Sequence, residues 1–226
     1  MYKFILPFIF LFLFSTPAFT QNSEIGGALG ITFYQGDLVE TPLAMKGGGF
    51  TGIFIYERYL NEKFSLRFDI AGGSYKGNDR NFPAFRDRDF EFEAQFAEAT
   101  ANLKFNLLKR GGFSQTGIFR GSFSPYACIG VGVLRATPDP IAEGRIKFDP
   151  RDENPNTTHF IIPIAAGLRF DFESNWVFAI EIKQRTTFTD YLDGFSFSAN
   201  PNANDWLAGV NIVVTYIIGQ ENCSMF

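Results

Sequence analysis

Apolar residues occupy every second position from residue 160 to residue 172 and again from residue 176 to residue 182, and the phase is kept across Glu173-Ser174-Asn175. The apolar set is Phe160, Ile162, Ile164, Ala166, Leu168, Phe170, Phe172, Trp176, Phe178, Ile180 and Ile182. The other face includes His159, Arg169, Asp171, Glu181, Lys183 and Arg185. Because successive side chains of a strand point to opposite faces, this pattern predicts an antiparallel hairpin with one apolar and one charged face. Each arm has about 10 residues, the length that a tilted strand needs to cross a bilayer.

The interruption in this pattern sets the register of the hairpin. If Glu173-Ser174-Asn175 forms a three-residue turn, Phe172 lies opposite Trp176 and Phe170 lies opposite Phe178. Arg169 then lies opposite Ala179 and diagonal to Glu181, so we predict an ion pair between Arg169 and Glu181.

Similar alternation along the rest of the chain predicts six further strands, at residues 24–34, 48–59, 64–75, 90–108, 125–136 and 205–218. With the hairpin they make eight strands, joined in turn by long and short connections. An even strand number with this alternation is typical of an antiparallel up-and-down outer-membrane β-barrel. In that fold the short turns near Asn61 and Ser174 are periplasmic, and the long loops are extracellular.

Three features depart from a regular barrel. Phe90, Phe92 and Phe96 stand on the opposite phase from the apolar residues in the second half of their strand, which predicts a bulge or an extension beyond the membrane. Pro163 removes a backbone donor inside a strand, which also indicates a bulge. The connection at residues 109–124 is long for a periplasmic turn.

The choice between a membrane barrel and a soluble β-sandwich depends on the charged faces of the strands. Charges of both signs recur at mid-strand positions: Arg67, Asp69, Glu98, Lys104, Arg169, Glu181, Lys183 and Arg185. We predict that they form a cluster of paired charges in the barrel interior, because unpaired buried charge is costly. Aromatic residues near strand ends indicate the interfacial girdles of a membrane barrel: Trp176, Tyr191, Trp206 and Tyr216. Eight strands enclose just enough space for side chains, so we expect no open pore.

The N-terminus has the features of a signal peptide. Lys3 precedes an apolar run, Phe4 to Phe14, and small or turn-forming residues follow. We predict cleavage near Thr20, which divides the chain into a signal peptide at residues 1–20 and one barrel domain at residues 21–226. Loss of Lys3 makes the formal net charge one unit more negative than the −4 of the whole chain. An acidic chain gives no electrostatic case for binding nucleic acid.

Three segments resemble a known family. Residues 24–30 with Tyr34-Gln35-Gly36-Asp37-Leu38, and Ser124-Pro125-Tyr126 with Gly130-Val131-Gly132, are similar to strands of small outer-membrane barrels from Bacteroidota. Thr189, Asp190, Tyr191, Leu192 and Asp193 resemble the loop motif after their seventh strand, although Gly194 follows where that motif has a second acidic residue. The best-known member, PorG, is an outer-membrane component of the type IX secretion system. The resemblance implies eight strands, an outer-membrane location and a role beside the periplasmic ring of that system.

The sequence offers little for catalysis or cofactor binding. His159 is the single histidine and stands at a strand start, so a nucleophile has few general bases to work with. Histidine and cysteine ligands for a metal are not clustered, and we expect no cofactor. Asp190 and Asp193 are more simply a solvated loop than a cation site. Cys128 and Cys223 are the only cysteines, and nothing in their spacing requires a disulfide.

The connection at residues 109–124 is the best candidate for a partner site. Its apolar side chains, Phe113, Ile118, Phe119 and Phe123, are exposed unless a partner, the barrel or the lipid interface covers them. We therefore predict a non-enzymatic barrel in contact with outer-membrane lipid, and a contact between this connection and periplasmic ring proteins of type IX secretion. The alternative is a stand-alone small barrel that maintains membrane integrity or serves surface adhesion.

Overall fold

A computed structural model describes residues 23–35, 48–78, 90–108, 112–113, 119–120, 123–142, 158–172, 175–188, 192 and 205–218. These residues form ten strands: β1 (Ser23–Gln35), β2 (Gly49–Tyr59), β3 (Phe64–Asn78), β4 (Phe90–Asn106), β5 (Gly112–Phe113), β6 (Phe119–Arg120), β7 (Phe123–Ala142), β8 (Thr158–Phe172), β9 (Trp176–Thr187) and β10 (Trp206–Ile218). No helix in the described part is long and apolar enough to cross a membrane. The predicted signal peptide lies outside the described residues.

Eight of the strands close into a barrel in the order β1-β10-β9-β8-β7-β4-β3-β2. Every neighbouring pair is antiparallel, and β1 pairs with both β2 and β10, so the sheet has no open side. The predicted eight-stranded antiparallel barrel is therefore confirmed, and the two-sheet sandwich is wrong. Closure satisfies the backbone groups that an open sheet would leave at its edges.

The barrel has two distinct ends. The end that carries Ser23, Ile218 and the turn at residues 60–63 is called the turn end here, and the opposite end is called the loop end. The turn is tight because the side-chain carbonyl of Asn61 accepts hydrogen bonds from the backbone N–H groups of Lys63 and Phe64, both at 2.9 Å. The short hairpin of β5 and β6, in which Phe113 pairs with Phe119, follows β4 at the same end.

The register predicted for the β8–β9 hairpin is confirmed. Phe172 pairs with Trp176, Phe170 with Phe178, and Arg169 with Ala179. Phe170, Phe178 and their apolar neighbours face outwards, and Arg169 faces the interior. The turn length alone fixed this match, because a shift of one residue would turn every side chain to the other face.

No bulge is present in β4. Its pairs with β3 run without interruption from Phe64 with Phe105 to Asn78 with Glu91. Its even-numbered residues from 92 to 106 all face the interior, so Phe92 and Phe96 are buried, as are Lys104 and Asn106. The strand therefore continues in one phase, and it is the chemistry of the interior that changes, from polar near the turn end to apolar at the loop end.

Strand β7 extends beyond its predicted bounds, residues 125–136, and takes in Pro138 and Pro140. Both prolines pair with β4. Pairing between β7 and β8 ends at Arg135 with Thr158, so the two prolines occupy the part of β7 that β8 does not cover. Proline is tolerated at such an edge because no ladder partner needs its missing N–H.

Pro163 interrupts one ladder of β8 without a bulge. Pairing with β7 stops at Ile129 with Ile164 and resumes in the same register at Gly132 with Ile161. Pairing with β9 continues through Pro163 and Arg185. The missing N–H of Pro163 therefore interrupts the pairing with β7 but not the pairing with β9. The predicted bulge is wrong.

The two faces of the barrel wall differ sharply in chemistry. Large apolar residues cover the outside along all eight strands, among them Leu29 (60% exposed), Ile182 (62%) and Ile212 (63%). Trp176 and Tyr216 lie at the turn end with their ring centroids 5.1 Å apart, as expected of an interfacial girdle. Trp206 begins β10 at the loop end, and Tyr191 lies outside the described residues. An apolar outside around a charged inside is the arrangement of a lipid-embedded barrel.

Candidate functional site

The barrel interior contains all eight charged residues that the sequence singled out. Arg67, Asp69, Glu98, Lys104, Arg169, Glu181, Lys183 and Arg185 are each 4% exposed or less. They come from β3, β4, β8 and β9, and the alternation of each strand turns them inwards.

Six of these residues form one continuous series of ion pairs, called the central charge chain here: Glu181, Arg67, Asp69, Lys183, Glu98 and Arg185. Arg67 binds Glu181 through two hydrogen bonds, of 2.5 and 3.2 Å, and also binds Asp69 at 2.7 Å. Lys183 lies between Asp69 at 3.1 Å and Glu98 at 2.9 Å. Arg185 ends the series through its Nε, 2.5 Å from Glu98. Acidic and basic side chains alternate along the central charge chain, so the formal charges of its six members cancel.

Lys104 forms a second pair beside the central charge chain. Its Nζ lies 2.8 Å from Glu57, whose other oxygen accepts a 2.6 Å hydrogen bond from the hydroxyl of Ser65. The same Nζ lies 4.5 Å from the ring centroid of Tyr126, a cation–π contact. Tyr126 also donates its hydroxyl proton to Glu181 at 2.8 Å and so connects the two groups.

The predicted ion pair between Arg169 and Glu181 is wrong. Arg169 instead binds Glu24 at 2.7 Å and Asp171 at 2.6 Å, and it also contacts the hydroxyl of Tyr59. Glu24 accepts further hydrogen bonds from Tyr59 and Thr215. Arg169 does lie diagonal to Glu181. However, Arg169 binds Glu24 on β1, and Glu181 binds Arg67 on β3, and both of these strands are distant in sequence.

Gly167 shows why the diagonal pair does not form. Tyr126, Gly167 and Glu181 are in register on three neighbouring strands, β7, β8 and β9. The glycine leaves room for the Tyr126 ring to cross β8 and reach Glu181. A Cβ on Gly167 would lie 2.5 Å from that ring and 2.6 Å from its hydroxyl oxygen.

Replacement of Gly167 by alanine is therefore expected to push Tyr126 away from Glu181. The added methyl group overpacks the site and removes one hydrogen bond to a buried carboxylate, so we expect a loss of about 1–3 kcal/mol in the free energy of unfolding. The measurement is urea unfolding of the barrel in lipid vesicles. The matched control is Gly52→Ala, where a Cβ would meet nothing within 4 Å. Equal stabilities of the two variants would contradict the role given to Gly167.

A cluster of buried apolar side chains lies at the loop end of the interior and is called the mouth cluster here. It consists of Tyr34, Tyr75, Phe92, Ala94, Phe96, Leu134, Ala136, Ile161, Leu192 and Leu207. Leu192 belongs to the loop motif that resembles the Bacteroidota barrels. The other motif residues, Thr189, Asp190, Tyr191 and Asp193, lie outside the described residues.

The predicted partner contacts are divided between two places. Phe113 and Phe119 pair in the β5–β6 hairpin, and Ile118 lies outside the described residues. Phe123 is the first residue of β7, and its ring centroid lies 5.2 Å from that of Phe170. It is 47% exposed on the outer face, so it belongs to the barrel wall at the turn end rather than to the connection.

Acidic and basic side chains in the barrel interior neutralise one another. Glu24, Glu57, Asp69, Glu98, Asp171 and Glu181 each contact a buried basic side chain. Among the described residues, no three His, Cys, Asp or Glu side chains are placed to hold a metal ion. His159 faces the interior near the loop end and is 8% exposed. Cys128 is a buried free thiol, and Cys223 lies outside the described part of the chain.

Sequence reasoning missed several members of the interior. Glu57, Tyr59 and Tyr126 were not selected, although each stands on the interior phase of its strand. In β2 the inward-facing positions include Ile53 and Ile55 as well as Glu57. Because apolar residues lie on both faces of β2, the alternation of apolar and polar residues is weak there. A stricter use of the period of two, anchored on Glu57, would have found it.

The closed wall, the apolar outer face and the paired interior define the class of eight-stranded outer-membrane barrels. The chain belongs to the family described as a domain of unknown function, DUF6089, whose model matches residues 3–225. No curated protein sequence matches it.

Several solved structures of outer-membrane proteins are similar to this chain. The attachment invasion locus protein Ail of Yersinia pestis is 13% identical with a TM-score of 0.47, over 88% of this chain and 99% of that one. The N-terminal β-barrel domain of Pseudomonas aeruginosa OprF is also 13% identical with a TM-score of 0.47, over 87% and 97% of the two chains. The outer membrane enzyme PagL is 12% identical with a TM-score of 0.41, over 85% and 97%. These similarities concern the fold alone and assign no activity.

Proposed function

We propose that this protein is a non-enzymatic outer-membrane barrel that serves as a structural or scaffold component associated with type IX protein secretion. The observation that carries the proposal is the occupied interior. Paired charges fill the interior from the turn end upwards, and the mouth cluster fills the loop end. A lumen built in this way favours a structural role for the interior over a transport path.

The contacts within the interior favour a structural role over an enzymatic one. A catalytic carboxylate must be available to the reacting atoms, whereas the six carboxylates named above are bound to arginine or lysine. Replacing one partner of such a pair is expected to destabilise the barrel itself, so this region is suited to rigidity rather than to turnover. The function then belongs to the connections between strands.

The β5–β6 hairpin is the connection best suited to a partner. It lies between β4 and β7 at the turn end of the barrel. At the same end, β2 and β3 are joined only by a tight turn. In the proposed orientation the turn end is periplasmic, so the hairpin follows β4 on the side of the membrane where the secretion ring lies. The resemblance to the Bacteroidota barrels and the aromatic pair Phe113 and Phe119 both support this assignment.

Photocrosslinking from position 119 tests the proposal. A benzoyl-phenylalanine at residue 119 is expected to give an adduct with a periplasmic secretion-ring protein in cells that carry a type IX system. The matched control is the same group at Leu60, which lies in the tight turn at the same end and is 47% exposed. Deletion of the gene is expected to reduce the secretion of type IX cargo.

The result that contradicts the proposal is equally specific. If position 119 gives no ring adduct, or gives the same adducts as position 60, and cargo secretion is unchanged, the protein is a stand-alone barrel. Its role would then be membrane integrity or surface adhesion.

A further inference from the structure

We propose that Leu192 closes the loop end of the barrel, seated in a site that recognises one apolar residue by its side chain and by both of its peptide groups. This site is called the latch site here. It consists of Tyr34, Tyr75 and Asp205 together with the apolar wall of the mouth cluster. The inference is independent of any secretion partner and concerns the opposite end of the barrel from the β5–β6 hairpin.

The side chain of Leu192 is enclosed completely. It is 0% exposed, although it belongs to the connection between β9 and β10 rather than to a barrel strand. The aromatic walls around it are fixed against each other: the ring centroid of Phe92 lies 5.0 Å from that of Tyr34 and 5.8 Å from that of Tyr75. Leu207 and Ile161 complete the enclosure from β10 and β8.

The peptide groups of Leu192 are bound by side chains. The Tyr75 hydroxyl donates to the Leu192 carbonyl at 2.6 Å, and the Leu192 N–H donates to one carboxylate oxygen of Asp205 at 3.0 Å. The second oxygen of Asp205 accepts a 2.5 Å hydrogen bond from the Tyr34 hydroxyl. A buried backbone donor and acceptor must be paired, and here the side chains of Tyr75 and Asp205 supply the partners that a strand neighbour would supply in the wall.

The position of the latch site gives it a consequence for access. Phe96, in the mouth cluster, lies under the guanidinium carbon of Arg185, 5.4 Å from its ring centroid. Arg185 is the terminal member of the central charge chain. The mouth cluster, in which Leu192 is buried, therefore contacts the terminal member of the central charge chain. Release of Leu192 opens a route into the outer half of the interior while the ion pairs below still block passage.

A cysteine reporter tests this inference. Ala136 is 0% exposed in the mouth cluster, and Ala136→Cys provides a thiol below Leu192 in a background of Cys128→Ala and Cys223→Ser. The measurement is the rate of labelling of the folded barrel by a charged, water-soluble thiosulfonate. Leu192→Asp is expected to raise this rate by about tenfold or more, because a second carboxylate buried beside that of Asp205 is repelled by it and leaves the site.

Two further variants complete the design. Leu108→Asp, at the turn end where Leu108 is 53% exposed, is the matched control and is expected to leave the rate unchanged. Asp205→Ala removes the acceptor of the Leu192 N–H and is expected to raise the rate. Leu192→Ala keeps both peptide groups and serves if either larger change prevents folding, with a smaller increase expected. Folding is checked by the heat-dependent shift of the barrel in gel electrophoresis.

The inference is overturned by either of two results. Labelling that is already fast with Leu192 in place shows that the mouth is open without its release. Labelling that stays slow in every folded Leu192 and Asp205 variant shows that another element closes the mouth.

Discussion

Replacing Glu181 by alanine is expected to lower the free energy of unfolding by about 3–5 kcal/mol, because the change leaves a buried guanidinium without its main partner. Glu181 is 0% exposed, and it accepts two hydrogen bonds from Arg67 and one from Tyr126. Its loss also leaves the Tyr126 hydroxyl unpaired. The measurement is urea unfolding in lipid vesicles, followed by tryptophan fluorescence.

Two controls separate the loss of charge from the loss of packing. Glu181→Gln keeps the shape and the hydrogen-bonding oxygen, so it is expected to cost less than the alanine change. The double variant Arg67→Met with Glu181→Leu replaces the pair by apolar side chains and is expected to recover much of the stability. A loss below about 1 kcal/mol for Glu181→Ala would show that the pair is not desolvated, and the proposal of a filled interior would fail with it.

Replacing Ile212 by arginine is expected to destabilise the barrel in lipid by about 2–4 kcal/mol, the cost of a basic side chain on the lipid face near the bilayer centre. Ile212 is 63% exposed and lies midway along β10. It pairs with Leu29 on one side and with Ile180 on the other, and both of these face outwards. In a water-soluble barrel the same substitution on so exposed a surface would have almost no effect.

The matched control for Ile212 lies on the same strand and the same face. Ile218 ends β10 at the turn end and is 48% exposed, so Ile218→Arg reaches the interface and is expected to cost about 0–1 kcal/mol. The difference in the free energy of unfolding between the two variants, measured in vesicles, shows that residue 212 lies deeper in the membrane than residue 218. Equal effects would mean that the exposed apolar band does not face lipid.

Local sequence determined the elements of this protein and the direction of each side chain. The period of two assigned Arg169 to one face and Phe170 to the other, and the break at Glu173-Ser174-Asn175 fixed the pairing of Phe172 with Trp176. Both depend only on neighbours along the chain or across one turn. For this reason the eight strands of the barrel and the inward direction of the eight charged residues were accessible without a structure.

Some local features carried a pattern whose meaning only the tertiary structure decided. The reversed phase of Phe92 and Phe96 indicated a bulge or an extension. The uninterrupted register of β4 shows an extension in which these rings fill the mouth cluster. Pro163 likewise looked like a bulge, yet its missing donor affects only the β7 side of β8. In each case the neighbouring strand, rather than the residue itself, determined the outcome.

The partners of the interior charges were beyond local reasoning altogether. Strands β3 and β9 stand four places apart in either direction around the barrel, so Arg67 meets Glu181 across the lumen. Leu192 is buried in the mouth cluster from a connection whose sequence gave no sign of burial. The sequence by itself thus determined which side chains point inwards. Only closure of the sheet brought distant strands within bonding distance and decided which of those side chains bind each other.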